Sequence, residues 1–506
     1  MNKKTIIVGI FFTMCLIAIA IVIRHVGALN LKQEELSVDG ELSLYPRSSN
    51  AWVGDVMPLG TDESLELYYL YDTDHNGSGY HPIHKFSTKN FYSYVDGGCA
   101  IEFGESGSLD RAIGTGSVFI AKDGKWHCFY TGHNDQPDLH DGVRECVMHA
   151  VSDDGENWTK IPEDTFFASP NYSNEDFRDP FVFWNEEAGC YWLIIAARED
   201  KLGGVVARYS SSDLKEWTLM EPLFAPQKQY MLECPDLFKM GDKYYLFYSW
   251  DCVTYYAMSD SINGPFIAPA DNILDGTGFS FYAAKTAEYK GNRYLCGWVG
   301  RKQEKKDSGN YDWAGNLVIH QLVQKADGSL GVKAPDGIKD YLRNKKKISE
   351  TELYKNVQKS KNGYVLSPDK KDYALINLGQ REPVMSLEFD VTFEEDGCAG
   401  VGYGTGDKYD KYTALVLDKE HSAVHYEGSV LSRLAYVDPH ISTAFNFEAG
   451  EKYHVKLVIE NEIVITYVND TKALSTRVYK LEEDSNLVLY AYGAECKIEN
   501  VEIMTP

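Results

Sequence analysis

Apolar and polar positions alternate in short runs along much of the chain, and aromatic residues are concentrated in these runs. In "MSLEFDVTF", residues 385–393, every second position is apolar, which is the period of a half-buried strand. Most runs end in Gly, Asp, Asn or Lys, residues that suit tight turns between antiparallel strands. The pattern predicts an all-β protein.

Five segments of the chain repeat one pattern: a strand, a short polar turn and a second, aromatic strand. The aromatic strands lie about 50 to 65 residues apart and centre near Tyr68, His127, Trp192, Tyr245 and Tyr294. Units of this size with several short strands are typical of propeller blades. The repeat therefore predicts a five-bladed β-propeller over residues 45–335, and a β-sandwich with coincidental spacing is the alternative.

The pattern changes after residue 335. The stretch "DYLRNKKKISETELYKN" is charged and lacks the repeat, so residues 336–351 are predicted to be a linker. Short alternating runs then return from residue 352 to residue 506. These runs predict a separate C-terminal antiparallel β-sandwich.

The N-terminal segment, residues 1–30, has a different character. Lys3 and Lys4 precede about 18 apolar residues at positions 6–23, a length that just spans a bilayer. Such a segment is an export signal or an uncleaved membrane anchor whose lysine end stays in the cytoplasm. Either alternative predicts that the rest of the protein is extracellular or lies at the cell surface.

The charge and the cysteines narrow the classes of partner. The formal net charge is −25, and such a surface repels nucleic-acid phosphates. The ten cysteines are scattered singly without a CxxC or His-rich pattern, so neither a metal nor another cofactor is predicted. An aromatic content of 13% suits the twisted strands of a β-rich protein, and it also suits a protein that binds the faces of sugar rings.

Polar residues recur at the start of the first strand in each predicted blade. In a propeller these strands line the central channel, so their starts open at one mouth. The residues at this position are Asp55, Thr115, Ser117, Arg178, Asp179, Glu233 and Lys285. Residues from five distant stretches are therefore predicted to converge on one site.

Two of these carboxyl groups suit the cleavage of a glycosidic bond. Glu233 lies in the apolar stretch "MLECPDLF", which would limit its hydration and keep it protonated as a general acid. Asp55, in "AWVGDVMP", is then the candidate nucleophile. Asp179 is expected to be held ionised by the adjacent Arg178 and to accept hydrogen bonds from sugar hydroxyls.

The same residues stand in three motifs, "WVGD", "FRDPF" and "LECPDLF". In them the chain resembles glycoside hydrolase family 32, the invertase, levanase and inulinase group. The resemblance implies a propeller followed by a sandwich, and cleavage of β-fructofuranosides with retention and without a cofactor. It also implies roles for Asp55 as nucleophile, Glu233 as general acid and base, and Asp179 as transition-state stabiliser. The matching positions Trp52, Arg178 and Cys234 become candidates for substrate binding.

Two positions depart from the family pattern. Gly54 stands where the family has an Asn that helps to hold the fructosyl unit, and this difference affects which sugar is bound. Lys285 stands where the family has a Gln and adds a cation near the predicted pocket floor. This lysine would favour an anionic or differently decorated furanoside, or pair with Asp55 or Glu233.

Two further residues are candidates at the mouth of the site. Trp52 would form an apolar wall for a sugar ring or belong to the core, and His84, in "HPIHKFS", would line the mouth or serve in packing. The predicted function is hydrolysis of sucrose, levan or inulin-type fructans. The alternatives are a fructosyltransferase, a hydrolase of another furanoside such as an arabinofuranoside, and an inactive extracellular carbohydrate-binding protein. The oligomeric state is left open.

Overall fold

The prediction of an all-β protein is confirmed by a computed structural model, in which strands and turns make up nearly all of the chain. The structure describes residues 40–73, 80–227, 229–307, 309–348, 352–370, 372–403, 412–429, 441–479 and 486–506. The predicted signal or anchor segment, residues 1–30, lies outside these ranges. Within them, no helix combines the length and the apolar character needed to cross a bilayer.

The N-terminal part of the structure consists of five antiparallel blades. Blade I has the strands β2 (Trp52–Gly60), β3 (Leu65–Asp72), β4 (Ile83–Thr88) and β5 (Ser93–Ile101), with β1 (Glu41–Leu42) at its edge. Blade II has β6 (Ala112–Ile120), β7 (Trp126–His133), β8 (Glu145–Ser152) and β9 (Trp158–Lys160). Blade III has β10 (Phe177–Asn185), β11 (Cys190–Glu199), β12 (Gly203–Ser211) and β13 (Thr218–Phe224). Blade IV has β14 (Glu233–Met240), β15 (Lys243–Trp250) and β16 (Val253–Ser259). Blade V has β17 (Tyr282–Tyr289), β18 (Asn292–Lys302), β19 (Tyr311–Gln324) and β20 (Leu330–Lys333).

The five blades close into a ring. The first strand of each blade contacts the first strand of the next one, and β17 of blade V contacts β2 of blade I. Blades I and V are also joined by a backbone pairing of Val53 with Gly315. The predicted five-bladed propeller is confirmed, and the first strands surround its axis as the repeat suggested.

Aromatic side chains at equivalent positions pack neighbouring blades together. Trp158 of blade II meets Tyr68 of blade I edge to face, with ring centroids 5.7 Å apart. Trp217 of blade III meets Phe129 of blade II in the same geometry, also at 5.7 Å. Such pairs add roughly 0.5–1.5 kcal/mol beyond the area that they bury. Trp158 and Trp217 therefore help to stabilise the ring.

The C-terminal part is a sandwich of two antiparallel sheets. One sheet contains β21 (Asn344–Lys346), β23 (Val357–Lys359), β24 (Gly363–Leu366), β26 (Val384–Phe393), β31 (Lys452–Glu460), β32 (Ile463–Val468), β33 (Lys472–Arg477) and β35 (Cys496–Thr505). The other contains β22 (Glu352–Tyr354), β25 (Tyr373–Gln380), β27 (Cys398–Tyr403), β28 (Tyr412–Asp418), β29 (Ala423–Ser429), β30 (Ser442–Ala444) and β34 (Asn486–Tyr492). The predicted linker 336–351 holds a short helix, Ile338–Tyr341, and the strand β21, whose pairing with β35 makes it part of the sandwich. Short 3₁₀ turns occur at Pro137–His140, Pro162–Asp164 and Gln303–Lys305.

Buried hydrogen bonds join the sandwich to the propeller. Asp275 of the propeller accepts hydrogen bonds from the Ser475 backbone N–H (2.7 Å) and hydroxyl (2.5 Å). His320, also in the propeller, lies between Asp275 (2.8 Å) and the hydroxyl of Tyr467 (2.9 Å). Because buried polar groups are costly unless they are paired, this network favours one orientation of the two domains.

Candidate active site

Each of the five innermost strands has a β-bulge at the same place. The regular pairing breaks between Val53 and Val56 in β2, Gly114 and Gly116 in β6, Arg178 and Phe181 in β10, Glu233 and Asp236 in β14, and Tyr282 and Lys285 in β17. The segments inside these breaks contain Asp55, Thr115, Asp179 and Cys234. A bulge re-aims a side chain that regular pairing would point into a neighbouring blade. The bulges therefore explain how the predicted residues meet at the axis.

The bulges have a conformational cost. Asp179 (φ 62°), Cys234 (φ 51°) and Ala283 (φ 52°) adopt the left-handed region of the backbone. Residues other than glycine held in such regions cost on the order of 1–3 kcal/mol each and persist only where their surroundings determine them. Here the ring of neighbouring blades supplies those surroundings.

A cavity of about 430 Å³ opens at this end of the axis. Its lining includes the carboxyl groups of Asp55, Asp135, Glu145, Asp179 and Glu233. Thr115, Arg178 and Cys234 also line it, so six of the ten candidates from the sequence meet in one cavity. The cavity is large enough for a sugar unit and is lined by convergent polar groups, as ligand sites usually are.

Asp55 is held by hydrogen bonds on both carboxylate oxygens. Its Oδ2 accepts from the hydroxyl of Thr115 at 2.5 Å, and its Oδ1 accepts from the indole N–H of Trp298 at 3.0 Å. Burial raises the pKa of Asp55, while the hydrogen bonds from Thr115 and Trp298 oppose that rise. The two donors fix the direction of the carboxylate and favour its ionised form, which a nucleophile requires.

Asp179 is fixed by blade-to-blade hydrogen bonds. Its backbone N–H donates to the hydroxyl of Thr131, and its Oδ2 accepts from the backbone N–H of Cys234 at 2.9 Å. Burial raises the pKa of Asp179 to about 7, against the opposing charge of Arg178. The expectation that Arg178 holds Asp179 firmly ionised is therefore not met: burial outweighs the charge of Arg178, and at the bulge in β10 the guanidinium is directed to Glu233 and Glu145.

Glu233 forms an ion pair with the guanidinium of Arg178. Its Oε1 lies 2.8 Å from Nη2 of Arg178, and its Oε2 accepts a hydrogen bond from the hydroxyl of Tyr282. Arg178 also bridges to Glu145, at 3.2 Å. Met231 and Leu232 are buried as the sequence suggested, but the carboxyl group itself contacts polar donors. These contacts orient Glu233 towards the cavity.

Two of the remaining candidates lie below the cavity. The ammonium group of Lys285 is buried and donates to the backbone carbonyl of Gly116 at 2.7 Å. It does not line the cavity, although its charge lowers the pKa of Asp55 and Asp179. The hydroxyl of Ser117 accepts from the backbone N–H of Val182 at 3.0 Å and joins blades II and III.

The other two candidates lie outside the cavity. Trp52 is partly buried beneath the guanidinium of Arg47, which lies 4.3 Å from its ring centroid. His84 stacks on Tyr71 at 3.8 Å, on the strand β4. Neither side chain lines the cavity. Both side chains therefore pack against neighbouring residues, which was the alternative to substrate binding for each of them.

Trp313 occupies the space left by the glycine at position 54. A Cβ atom placed on Gly54 would lie 2.4 Å from Cη2 of the Trp313 indole and 3.0 Å from the Leu70 carbonyl oxygen. The indole lines the cavity and packs against His81, with ring centroids 4.7 Å apart. The wall that would otherwise carry an Asn amide is therefore aromatic.

Several functional residues were missed from the sequence. Tyr282 and Trp298 bind the two catalytic carboxyl groups, and Trp313 and His133 line the cavity. Tyr282 stands in the stretch "FYAAKT" at the start of β17, and Trp313 stands in "WAGNL" near the start of β19. The sequence contained a usable signal for these residues. Both stretches stand where strands of blade V begin, at the same mouth of the propeller as the other site residues.

The cysteines and acidic clusters have no metal-binding arrangement in the part of the chain that the structure describes. No group of three or more His, Cys, Asp or Glu side chains in those ranges has the geometry to hold a metal ion. The nine cysteines found there are all free thiols, and five of them are buried. The buried Cys234 lies beside the carboxyl groups of the site. Its Sγ is 3.8 Å from Oδ2 of Asp55 and 3.7 Å from Oδ2 of Asp179.

The fold and the cavity together define a class of protein. Two carboxyl groups from different blades, one held by neutral donors and the other by a guanidinium and a phenol, face one sugar-sized cavity at the propeller axis. This is the arrangement of a glycoside hydrolase.

The comparisons with known sequences identify the family. The Glycosyl hydrolases family 32 N-terminal domain matches residues 50–333, and the chain belongs to this family. It is 22% identical over 492 residues to a levanbiose-producing levanase of Bacillus subtilis (strain 168), covering 89% of this chain and 88% of the relative. It is 24% identical over 395 residues to a sucrose-6-phosphate hydrolase of Escherichia coli, covering 74% and 75%.

Solved structures of low sequence identity share the fold. Fructan 1-exohydrolase IIa from Cichorium intybus superposes with a TM-score of 0.72 at 14% identity, over 91% of this chain and 96% of that one. Exo-inulinase from Aspergillus awamori gives a TM-score of 0.69 at 16% identity, over 92% and 97%. Both likenesses extend through the propeller and the sandwich.

Proposed function

We propose that this protein is a retaining glycoside hydrolase that cleaves β-fructofuranosidic bonds in neutral fructosides such as sucrose, levan or inulin-type fructans. The observation that carries the proposal is the meeting of Asp55 and Glu233 in one cavity, where hydrogen bonds from other blades fix the direction of each carboxyl group. Membership of the family supports the choice of substrate.

The proposed reaction has two steps. In the first, the carboxylic acid of Glu233 donates its proton to the glycosidic oxygen while Asp55 attacks the anomeric carbon. The leaving sugar departs as an alcohol and a fructosyl ester remains on Asp55. In the second, the Glu233 carboxylate takes a proton from water, the resulting hydroxide attacks the anomeric carbon, and the Asp55 carboxylate is released. Asp179, fixed by Thr131 and Cys234, accepts hydrogen bonds from the sugar hydroxyls.

The charges around the cavity favour a neutral substrate over a phosphorylated one. Five carboxyl groups line the cavity, and the guanidinium in its lining, that of Arg178, is paired with Glu145 and Glu233. Lys285, the residue that suggested an anionic substrate, is bonded to a backbone carbonyl below the floor. A sugar phosphate would bring two negative charges beside these carboxylates.

The test is a substrate panel with a stereochemical readout. Sucrose, inulin and levan should be cleaved, and in the presence of methanol the fructosyl product should be methyl β-fructofuranoside, because two displacements retain configuration. Sucrose 6-phosphate should be cleaved with a far lower kcat/KM than sucrose. An inverted product, or cleavage of an arabinofuranoside in place of the fructosides, would refute the proposal.

Two variants test the assigned roles. Glu233→Gln and Asp55→Asn should each lower turnover by at least about 10²–10⁴-fold, the usual contribution of such groups. Glu216→Gln, an exposed acid of blade III far along the chain from the bulges, is the matched control and should leave turnover unchanged. In the binding-protein alternative, Glu233→Gln would bind fructans as the unmodified protein does, and neither protein would cleave them.

We also propose that the protein acts outside the cytoplasm, where polymeric fructans are accessible. The proposal is supported by the lysines and the apolar run at positions 6–23. Cell fractionation with protease shaving of intact cells is the measurement. Recovery of the protein in the cytosolic fraction would contradict it.

A further inference from the structure

An exposed aromatic pair lies next to the proposed general acid. Tyr230, in the loop that precedes β14, is 52% exposed. The half-buried ring of Trp250 lies beside it, with centroids 6.1 Å apart and planes inclined by 33°. We call Tyr230 and Trp250 the aromatic platform.

The platform flanks Glu233 in the chain and in the sheet. Tyr230 precedes Glu233 by three residues, and Trp250 directly follows Ser249, the residue that pairs with Glu233 across β14 and β15. Neither platform residue lines the cavity that holds the carboxyl groups. The platform therefore lies outside the cavity, on the side of the acid.

Polar contacts hold the exposed ring in place. The hydroxyl of Tyr230 donates to Oδ2 of Asp176 at 2.9 Å, and the guanidinium of Arg198 lies 5.2 Å from the ring centroid while also bonding to Asp176 at 2.6 Å. Asp176 in turn contacts Arg178, which binds Glu233. A ring fixed in this way loses little conformational freedom when a ligand packs against it.

The reaction determines which part of a substrate reaches the platform. A general acid protonates the glycosidic oxygen, so it stands on the side of the leaving group, while the nucleophile stands on the opposite face of the fructosyl ring. A group beside Glu233 and outside the cavity therefore meets the leaving group. Tyr and Trp present large, flat, amphipathic faces that suit the apolar face of a sugar ring.

Resting on the proposed function, we infer that Tyr230 and Trp250 form a binding subsite for a sugar unit of the leaving group, and that the preferred substrates are fructo-oligosaccharides of three or more units. Longer substrates gain contacts with the platform that sucrose, with a single leaving sugar, makes only in part.

The experiment compares kcat/KM for sucrose with that for fructo-oligosaccharides of three to five units. Tyr230→Ala and Trp250→Ala should each lower the ratio of oligosaccharide to sucrose kcat/KM by about fivefold to twentyfold, mainly through KM, because they remove apolar contact area. Tyr230→Phe loses the hydroxyl but keeps a ring that can pack against Trp250 and Arg198, so it should keep most of the ratio. Phe167→Ala, which removes another exposed aromatic ring (44% exposed), is the control and should change nothing.

Three outcomes would overturn the inference. Equal losses on sucrose and on oligosaccharides would mean that Tyr230 acts through Asp176 and Arg178 on the acid alone, and Tyr230→Phe would then lose as much as Tyr230→Ala. An unchanged ratio in both alanine variants would also refute it, as would an oligosaccharide affinity in Glu233→Gln that is unaffected by adding Tyr230→Ala. The last measurement needs no turnover, so it separates a failed platform from a failed proposal of hydrolysis.

Discussion

The close packing of Gly54 against Trp313 permits a quantitative test of the aromatic wall. In Gly54→Ala the new Cβ would lie 2.4 Å from the Trp313 ring, a separation that forces the indole or the strand β2 to move. Overpacking of this kind costs roughly 1–3 kcal/mol. Replacing glycine also restricts the unfolded chain, which stabilises the native state by about 0.4–1 kcal/mol. The net expectation is a loss of between roughly 0 and 2.6 kcal/mol in the free energy of unfolding.

Gly107→Ala is the matched control because a Cβ on Gly107 would meet no atom within 4 Å. It should gain about 0.4–1 kcal/mol from the unfolded state alone, so the difference between the two variants measures the packing cost. Urea unfolding gives both free energies, and turnover of sucrose by Gly54→Ala should fall because Trp313 lines the cavity. Trp313→Ala in the Gly54→Ala background should show a coupling of about 0.5–3 kcal/mol. Equal stabilities of Gly54→Ala and Gly107→Ala, or strictly additive effects in the double variant, would refute the reasoning.

Three further predictions concern the carboxyl groups and the histidines. Thr115→Val removes a hydrogen bond that lowers the pKa of Asp55, so the acidic limb of the kcat/KM profile should move to higher pH; an unmoved limb would contradict that role. Burial raises the pKa of Asp179 to about 7, above its unfolded value, so the native state holds a proton that the unfolded chain has lost. The contribution of Asp179 to stability should therefore fall as the pH rises from about 4 to 7, so the urea midpoint of the unmodified protein should decline relative to that of Asp179→Asn over this range. His84→Ala should leave the kinetics unchanged because His84 lies outside the cavity, whereas His81→Ala should lower kcat/KM by releasing the wall formed by Trp313.

The architecture was accessible from the sequence because each blade repeats one hairpin pattern with an aromatic second strand. Since the candidate residues stand at the same place in each unit, ring closure brings Asp55, Asp179 and Glu233 together without any knowledge of the contacts between blades. The positions of these acids therefore follow from symmetry.

The directions of individual side chains were not accessible in the same way. The bulge in β10 separates Arg178 from Asp179 and directs the guanidinium to Glu233 and Glu145. No local sequence pattern predicts this direction. The long side chain of Lys285 reaches the carbonyl of Gly116 in another blade, below the cavity. Both outcomes depend on distances across the ring, and a strand pattern contains no information about such distances.

The junction between blades I and V has a consequence for how the protein loses activity on heating. Val53, which pairs with Gly315 to complete the circle, lies only two residues from Asp55. A partial opening at this seam would displace the nucleophile while the other blades stayed folded. Loss of turnover on gentle heating should therefore precede loss of strand structure. Activity would then detect the opening of the propeller ring before spectroscopy of the strands does.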